Sequence, residues 1–360
     1  MKEFSCGTKI LSGTGTVAAL KTVGAKRLFL VTDPYFADNG TAQKVASGAE
    51  AEQVEIFRDV TPDPTVALAA RGTARVREFQ PDVIVALGGG SAMDCAKAMA
   101  YFSGSKAKLV AIPTTSGSGS EVTDFAILTH EGVKHPLVDR RLCPEMAILD
   151  DELLMQMPKS LVADTGFDVI CHALEAYVAK NSTPITDSLA KDAFCAAFGA
   201  LPASFAGDTG VRLKVHTAAT MAGMAFTQAG LGMCHAIAHS LGGIFHVPHG
   251  RLNAILLPAV IGCNAHFAGE KYAGIARAAG LGGSVDTLAV RNLKNALVRL
   301  RSELKLPGTL AQAGIDPRQV WQRMPGIVES AMADPCCQTN PAGVEDYMIR
   351  RVLEEVTGRV

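Results

Sequence analysis

Asp168 and His172 stand four residues apart in Gly166-Phe-Asp-Val-Ile-Cys-His-Ala-Leu-Glu-Ala-Tyr177, and His235 and His239 repeat that spacing within Gly230–Gly243. Both stretches lack proline and are rich in apolar helix formers, so each pair shares one face of a mostly buried helix. Fourteen residues after His235, in Val247-Pro-His-Gly250, proline and glycine turn the chain and can return His249 toward the same point. A single histidine reads most simply as a core residue satisfied by a backbone carbonyl. The pattern as a whole does not, because six of the nine histidines fall between positions 172 and 249. Asp168, His172, His235 and His249 are therefore the expected ligands of a divalent metal, with His239 beside them. One carboxylate and three imidazoles suit Fe(II) or Zn(II), between which the donor types do not choose, and suit Mg(II) or Ca(II) poorly. Cys171 and Cys234 adjoin ligands but point aside on their helices and read as packing, and His130, His135, His216, His246 and His266 read as structural.

These side chains need a scaffold. Up to about residue 158, short β-rich runs at Arg27–Thr32, Val54–Phe57, Asp82–Leu87 and Leu109–Pro113 alternate with helix candidates near 35–48, 63–79 and 91–103. Such alternation predicts a doubly wound parallel sheet. Beyond it, Ala-, Leu- and Met-rich helical segments dominate, broken at Pro202, Pro248, Pro258, Pro307, Pro325 and Pro341. The expected architecture is an α/β amino-terminal dinucleotide-binding domain over 1–158, followed by an all-α metal-binding domain over 159–360, closely packed with a ligand cleft between them.

Gly88-Gly-Gly-Ser91 follows the third of these runs and opens a helix carrying Asp94 and Lys97. Glycines there let backbone N–H groups approach a pyrophosphate at the positive helix end. Alone, such a run is equally a tight strand-to-helix turn. A second polar loop, Pro113–Thr123, follows the next run and offers hydroxyls and amides at the same sheet edge, where open α/β sheets bind nucleotides. Asp33, after the first run, is placed to bind an adenosine ribose and repel a 2'-phosphate, which favours NAD(H) over NADP(H); its alternative is a helix N-cap before Pro34. The common GxGxxG fingerprint is absent.

The chain has 360 residues, 48% of them hydrophobic, and a net charge of -1. That balance, without a basic cluster, argues against nucleic acid and for a small-molecule partner. The nine cysteines show no CxxC pair, and no export signal opens the chain, so a cytoplasmic location is expected. No apolar run escapes interruption by glycine, histidine or proline, so no membrane span is expected. The neighbours Cys336 and Cys337 have no reading at this level.

The Gly88–Asp94 turn, the Pro113–Thr123 loop, Asp168-x3-His172-x2-Glu175-Ala-Tyr177, and Gly230-Leu-Gly-x2-His235-x3-His239-x2-Gly242 with Pro248-His249-Gly250 together resemble the iron-containing (group III) alcohol dehydrogenases. Thr61-Pro-Asp-Pro64, Met146–Asp150 and Met221–Phe226 are most similar to the 1-propanol and ethanol dehydrogenase branch associated with bacterial microcompartments. The resemblance implies that Asp168, His172, His235 and His249 bind the metal and that His239 lies near nicotinamide and substrate. It implies cofactor contacts from Asp33, Gly89, Gly90, Ser91, Asp94, Thr114, Thr115, Ser118 and Lys134, and a substrate pocket lined by Phe226 and Leu231. Ser118 and Ser240 depart from the Thr and Pro frequent in that family.

The activity so implied is NAD(H)-dependent, metal-dependent interconversion of short primary alcohols and aldehydes, namely reduction of propanal or acetaldehyde. Lactaldehyde, 1,3-propanediol or butanol are alternative substrates. A metal-dependent cyclase of the dehydroquinate synthase type shares the fold but calls for basic residues near the metal. Homodimers or larger homo-oligomers are implied, with microcompartment shell or cargo enzymes as partners.

Overall fold

The computed structural model describes residues 3–357. Ser5–Met157 forms one compact unit, and Glu3 and Phe4 with the described residues from Pro158 onward form the other.

The first unit is built on six parallel strands: β1 (Lys9–Ser12), β2 (Arg27–Val31), β3 (Gln53–Phe57), β4 (Val83–Gly88), β5 (Lys108–Pro113) and, after a small antiparallel hairpin of β6 (Phe125–His130) and β7 (Val133–Val138), β8 (Met146–Leu149). Their order across the sheet is β1-β8-β5-β4-β2-β3. Helices α1 (Pro34–Asp38), α2 (Thr41–Gly48), α3 (Val66–Phe79) and α4 (Gly90–Ser103) connect them. The central strands are buried on both faces, which is why they read as continuous apolar runs. Phe29, Val31, Ile84, Ala86, Leu109 and Ala111 pack with Val76 of α3 and Met93 and Met99 of α4. The intervening Leu28, Leu30, Val83, Val85, Val110 and Ile112 pack on the other face with Leu20 and with Val45 of α2.

The four runs expected from sequence are β2 to β5. The four-residue strands β1 and β8 and the hairpin were not expected; β1 has the burial of an edge strand and shows neither alternation nor a continuous apolar run. The helix expected over 35–48 is two helices, because Gly40 turns left-handed at φ 82° and starts α2 afresh.

The second unit contains, among the described residues, helices α5 (Lys159–Val178), α6 (Pro184–Ala206), α7 (Arg212–Ala229), α8 (Met233–Phe245), α9 (His249–Ala278), α10 (Asp286–Glu303), α11 (Pro317–Ala333), α12 (Cys336–Thr339) and α13 (Asp346–Thr357). Helix α5 is the central post: α6, α7 and α9 pack on it, and apolar burial surrounds it. Three of the prolines expected to break helices do not, since Pro202, Pro258 and Pro325 lie inside α6, α9 and α11. Each removes one backbone hydrogen bond, a loss that tertiary packing of a long helix tolerates. Helix α9, at 30 residues, is long and apolar enough to cross a bilayer by length and composition, contrary to the expectation from sequence, but 67% of its most apolar stretch is buried within the protein.

Burial pushes the imidazole of His216, on α7, down to about 4. Between about pH 6.5 and pH 4 the unfolded chain takes up a proton that the folded chain does not, so stability falls as pH falls through that window. The expected contribution is about 3 kcal/mol. Urea unfolding across this range should show a shallower slope with pH in His216→Leu; an identical slope would contradict the assignment.

Candidate active site

Asp168 and His172 both project from α5, and Glu175 follows on the same face at the next helical step. Glu175 is buried and its carboxylate reaches the amino terminus of α8. Oε2 accepts from the backbone N–H of Gly232 at 3.1 Å and His235 at 3.3 Å, and Oε1 from Cys234 at 2.8 Å. Gly232, the N-cap of α8, has no side chain to do this, so Glu175 and Asn340 Oδ1, which accepts from Met233 N–H at 3.1 Å, cap the helix instead. Glu175 Oε2 also lies 2.6 Å from His235 Nδ1. That contact places the ring proton on Nδ1 and leaves the Nε2 lone pair facing Asp168 Oδ1, 3.8 Å away. Burial, with His172 and His239 nearby, holds His235 well below the ordinary imidazole range, so it is neutral and able to ligate. Burial raises Glu175 to about 7 against the lowering effect of its N–H donors.

Helix α9 brings His249 in at its first residue, after Pro248. The approach is close: a Cβ on Gly250 would stand 2.0 Å from the Asp164 carbonyl oxygen on α5. Arg251 clamps the junction with Nε and Nη2 donating to the two Asp164 oxygens at 3.0 and 2.8 Å. His249 Nε2 consequently lies 3.7 Å from Asp168 Oδ1.

Asp168, His235 and His249 thus present ligand atoms that all lie within 4.8 Å of one another. His172 stands at their edge, its ring stacked on His235 at 4.5 Å and its Nδ1 4.0 Å from Asp168 Oδ2. That buried nitrogen makes no hydrogen bond. The Asn253 amide nitrogen, one helical turn beyond His249, points into the group: it is 2.7 Å from Asp168 Oδ1, 3.0 Å from His249 Nε2 and 3.3 Å from His235 Nε2. Three acceptors converge on an NH2 group with two hydrogens, so the pocket is acceptor-rich. Donor separations near 3.7 Å compare with roughly 3.4 Å around a tetrahedral ion with ligands at about 2.1 Å. The donor set fits a divalent transition metal.

His239, four residues after His235, donates from Nδ1 to Asp334 Oδ2 at 2.8 Å and stacks on His249 with ring centroids 5.0 Å apart. Burial works against the Asp334 charge, but the His239 bond and charge and the Cys336 N–H outweigh it and hold the carboxyl at about 2. Phe226 is buried with its ring 4.6 Å from His172. The carbonyl of Leu231 accepts from Thr339 Oγ1 at 2.7 Å. Cys171 and Cys234 are fully buried, with burial holding both thiols protonated, in keeping with packing.

In the first unit, Gly88, Asp33 and Thr114 sit at the carboxyl ends of β4, β2 and β5. Gly88 adopts φ 150°, and a Cβ there would meet Ala92 at 2.7 Å. Added Cβ atoms on Gly89 and Gly90 would crowd Thr115 at 3.1 Å and Ser118 at 3.2 Å, so the glycine turn and the hydroxyl loop lie directly against each other. Gly89 is the N-cap of α4, and Ser91 lies in its first turn. Asp33 accepts from Phe36 N–H at 3.1 Å, so it is an N-cap of α1. Asp94 accepts from Ser120 Oγ at 2.9 Å and Ile127 N–H at 3.2 Å, which supports the loop. Lys97 is buried and donates to Thr123 and Phe125, and Lys134 pairs with Asp63 at 2.7 Å.

Two family models match the chain: "Iron-containing alcohol dehydrogenase" over residues 7–151 and "Fe-containing alcohol dehydrogenase family, C-terminal" over 162–357. The chain belongs to the iron-containing alcohol dehydrogenase family, and is therefore an oxidoreductase working with a nicotinamide cofactor and a metal. It is 42% identical to the 1-propanol dehydrogenase PduQ of Citrobacter freundii over 99% of this chain and 100% of that protein. The solved structure of a 1,3-propanediol oxidoreductase superposes with a TM-score of 0.92 at 30% identity, covering 99% of this chain and 100% of that one. The sulfoacetaldehyde reductase of Bifidobacterium kashiwanohense, solved in complex with NAD+, superposes with a TM-score of 0.88 at 27% identity, over 99% of this chain and 98% of that one.

Glu175, Asn253, Asp334, Cys336 and Asn340 have no role in the sequence reading. Glu175 and Asn253 were within reach of it, standing seven residues after Asp168 and four after His249, on the same helical faces. Asp334 and Asn340 come from distant segments and carry no such signal. Glu175→Gln should weaken metal binding by roughly 10- to 100-fold, because the amide does not hold the Nδ1–H form of His235 as firmly. A competition titration with a chelator reads this directly, and wild-type affinity would contradict the positioning role.

Proposed function

We propose that this chain reduces short aliphatic aldehydes to primary alcohols with NADH, propanal to 1-propanol and acetaldehyde to ethanol, and runs the reverse oxidation. The observation that carries the reading is the convergence of Asp168, His235 and His249 on one acceptor-rich point, with His172 at its edge, in a chain of this family. These four residues would hold Fe(II), with Zn(II) as the alternative. When bound, the ion supplies Lewis acidity that polarises an aldehyde carbonyl or favours loss of an alcohol proton. NAD(H) supplies the hydride chemistry.

The chain's own residues do the rest. Backbone N–H groups of Gly89, Gly90 and Ser91 at the start of α4 bind the diphosphate, and Thr114, Thr115 and Ser118 complete that wall. Asp33 takes the adenosine ribose. Lys134 and Asp94 act at its margin, the first through its ion pair and the second by holding Ser120. His239, with Nδ1–H anchored on Asp334, offers Nε2 to take or give the proton of the alcohol. Phe226 and Leu231 would bound the alkyl group. A phosphate-bearing substrate of the cyclase type fits less well, because Arg251 beside His249 is engaged by Asp164. The proposal extends to a homodimer or larger homo-oligomer in the cytoplasm or inside a bacterial microcompartment, on the strength of the likeness to the 1-propanol enzyme.

NADH oxidation with a panel of short aldehydes tests the substrate class; absence of turnover with propanal and acetaldehyde would overturn it. His249→Ala should lose the metal and nearly all activity, and stoichiometric metal in that variant would remove His249 from the ligand set. Asp33→Gly should lower the KM for NADPH, whereas an unchanged preference for NADH would leave Asp33 as an N-cap alone.

A further inference from the structure

A ring nitrogen of His239, a carboxylate oxygen of Asp334 and Sγ of Cys336 lie within 4.8 Å of one another, as a separate cluster from Asp168, His235 and His249, and Nδ1 is the nitrogen that meets Asp334. We propose that these three side chains form a second cation site, for a thiophilic divalent ion such as Zn(II), whose occupation inhibits the enzyme by taking His239. Asp334 is the hub: it accepts from His239 Nδ1 at 2.8 Å and from Cys336 N–H at 2.8 Å, and the Cys336 thiol is hydrogen-bonded to it as well. The carboxylate therefore already faces both other donors. The His239 and Asp334 side chains keep 23% and 16% of their surface exposed, so an ion reaches them without unfolding the chain.

The donor set decides the ion. One thiolate, one imidazole and one carboxylate match zinc, which holds such ligands at about 2.0 to 2.3 Å, and they leave a fourth position open. Tetrahedral edges of roughly 3.5 Å require the trio to close by only about 1 Å. Magnesium and calcium want oxygen throughout. The first cluster has no sulfur, so the two sites differ in chemical preference. On binding, the thiol proton leaves to solvent, the imidazole proton moves from Nδ1 to Nε2, and the carboxylate exchanges those two donors for the ion while keeping the Cys336 N–H. One proton is released per ion, and Nε2 of His239 is left protonated and unable to accept another. Burial raises the Cys336 thiol well above its ordinary range, so with no ion bound it stays protonated and spares the site from oxidation.

The binding claim does not depend on the alcohol reading, because its test is uptake of metal. Iron-loaded protein kept without oxygen should take up one further zinc per chain while retaining its iron, and Cd(II) should give an ultraviolet thiolate charge-transfer band. Cys336→Ser should abolish the band and weaken the second zinc by on the order of tenfold or more. Asp334→Asn, which keeps the thiol and the volume, should also weaken it. Failure to take up a second ion, loss of one iron for each zinc gained, or undiminished second-site affinity in both variants would overturn the proposal. Failure of aldehyde reduction with intact zinc uptake would count only against the proposed function.

Discussion

The contact between the Glu175 carboxylate and the first turn of α8 is the constraint on which the site depends. It joins the central helix α5 to α8, satisfies three backbone N–H groups that Gly232 leaves uncapped, and fixes which nitrogen of His235 carries a proton. A buried carboxylate is costly when its donors are lost. The same four contacts that keep Glu175 tolerable in the interior therefore keep His235 aimed, while burial and the neighbouring imidazoles keep it neutral. One side chain thus bears on both stability and ligand geometry.

The second constraint is steric. His249 reaches Asp168 because Gly250 lets α9 start almost in contact with the backbone of α5, and the Arg251–Asp164 pair closes the junction. The result is a pocket where acceptors outnumber donors, with Asn253 facing three of them. Such a pocket favours a cation over water or a bare cavity. His239 stands outside this group, held by Asp334, so the residues proposed to grip an ion and the residue proposed to move a proton are oriented by different carboxylates.

Much of this was legible in the sequence. The i,i+4 pairs at 168/172 and 235/239 announced two helices sharing one chemistry, and the continuous apolar runs announced strands covered on both faces. The parallel sheet and the helical second part follow from those signals, as does membership of the family. The short strands β1 and β8 escaped because four residues carry too little pattern. Pro202, Pro258 and Pro325 misled because packing around a long helix outweighs one missing hydrogen bond. Asp334 and Asn340 were invisible because their partners lie about a hundred residues away in sequence, and such pairings leave no local periodicity. Asp33 shows the limit in another way: one residue can cap a helix and still face a ligand, and its sequence position fits both.

X-ray absorption at the edge of the resident metal, on protein as purified and before any zinc is added, tests the central claim most directly. The account predicts a shell of nitrogen and oxygen alone at roughly 2.1 Å, with outer scattering from three imidazole rings. A sulfur scatterer at roughly 2.3 Å, or a shell without imidazole, would contradict it.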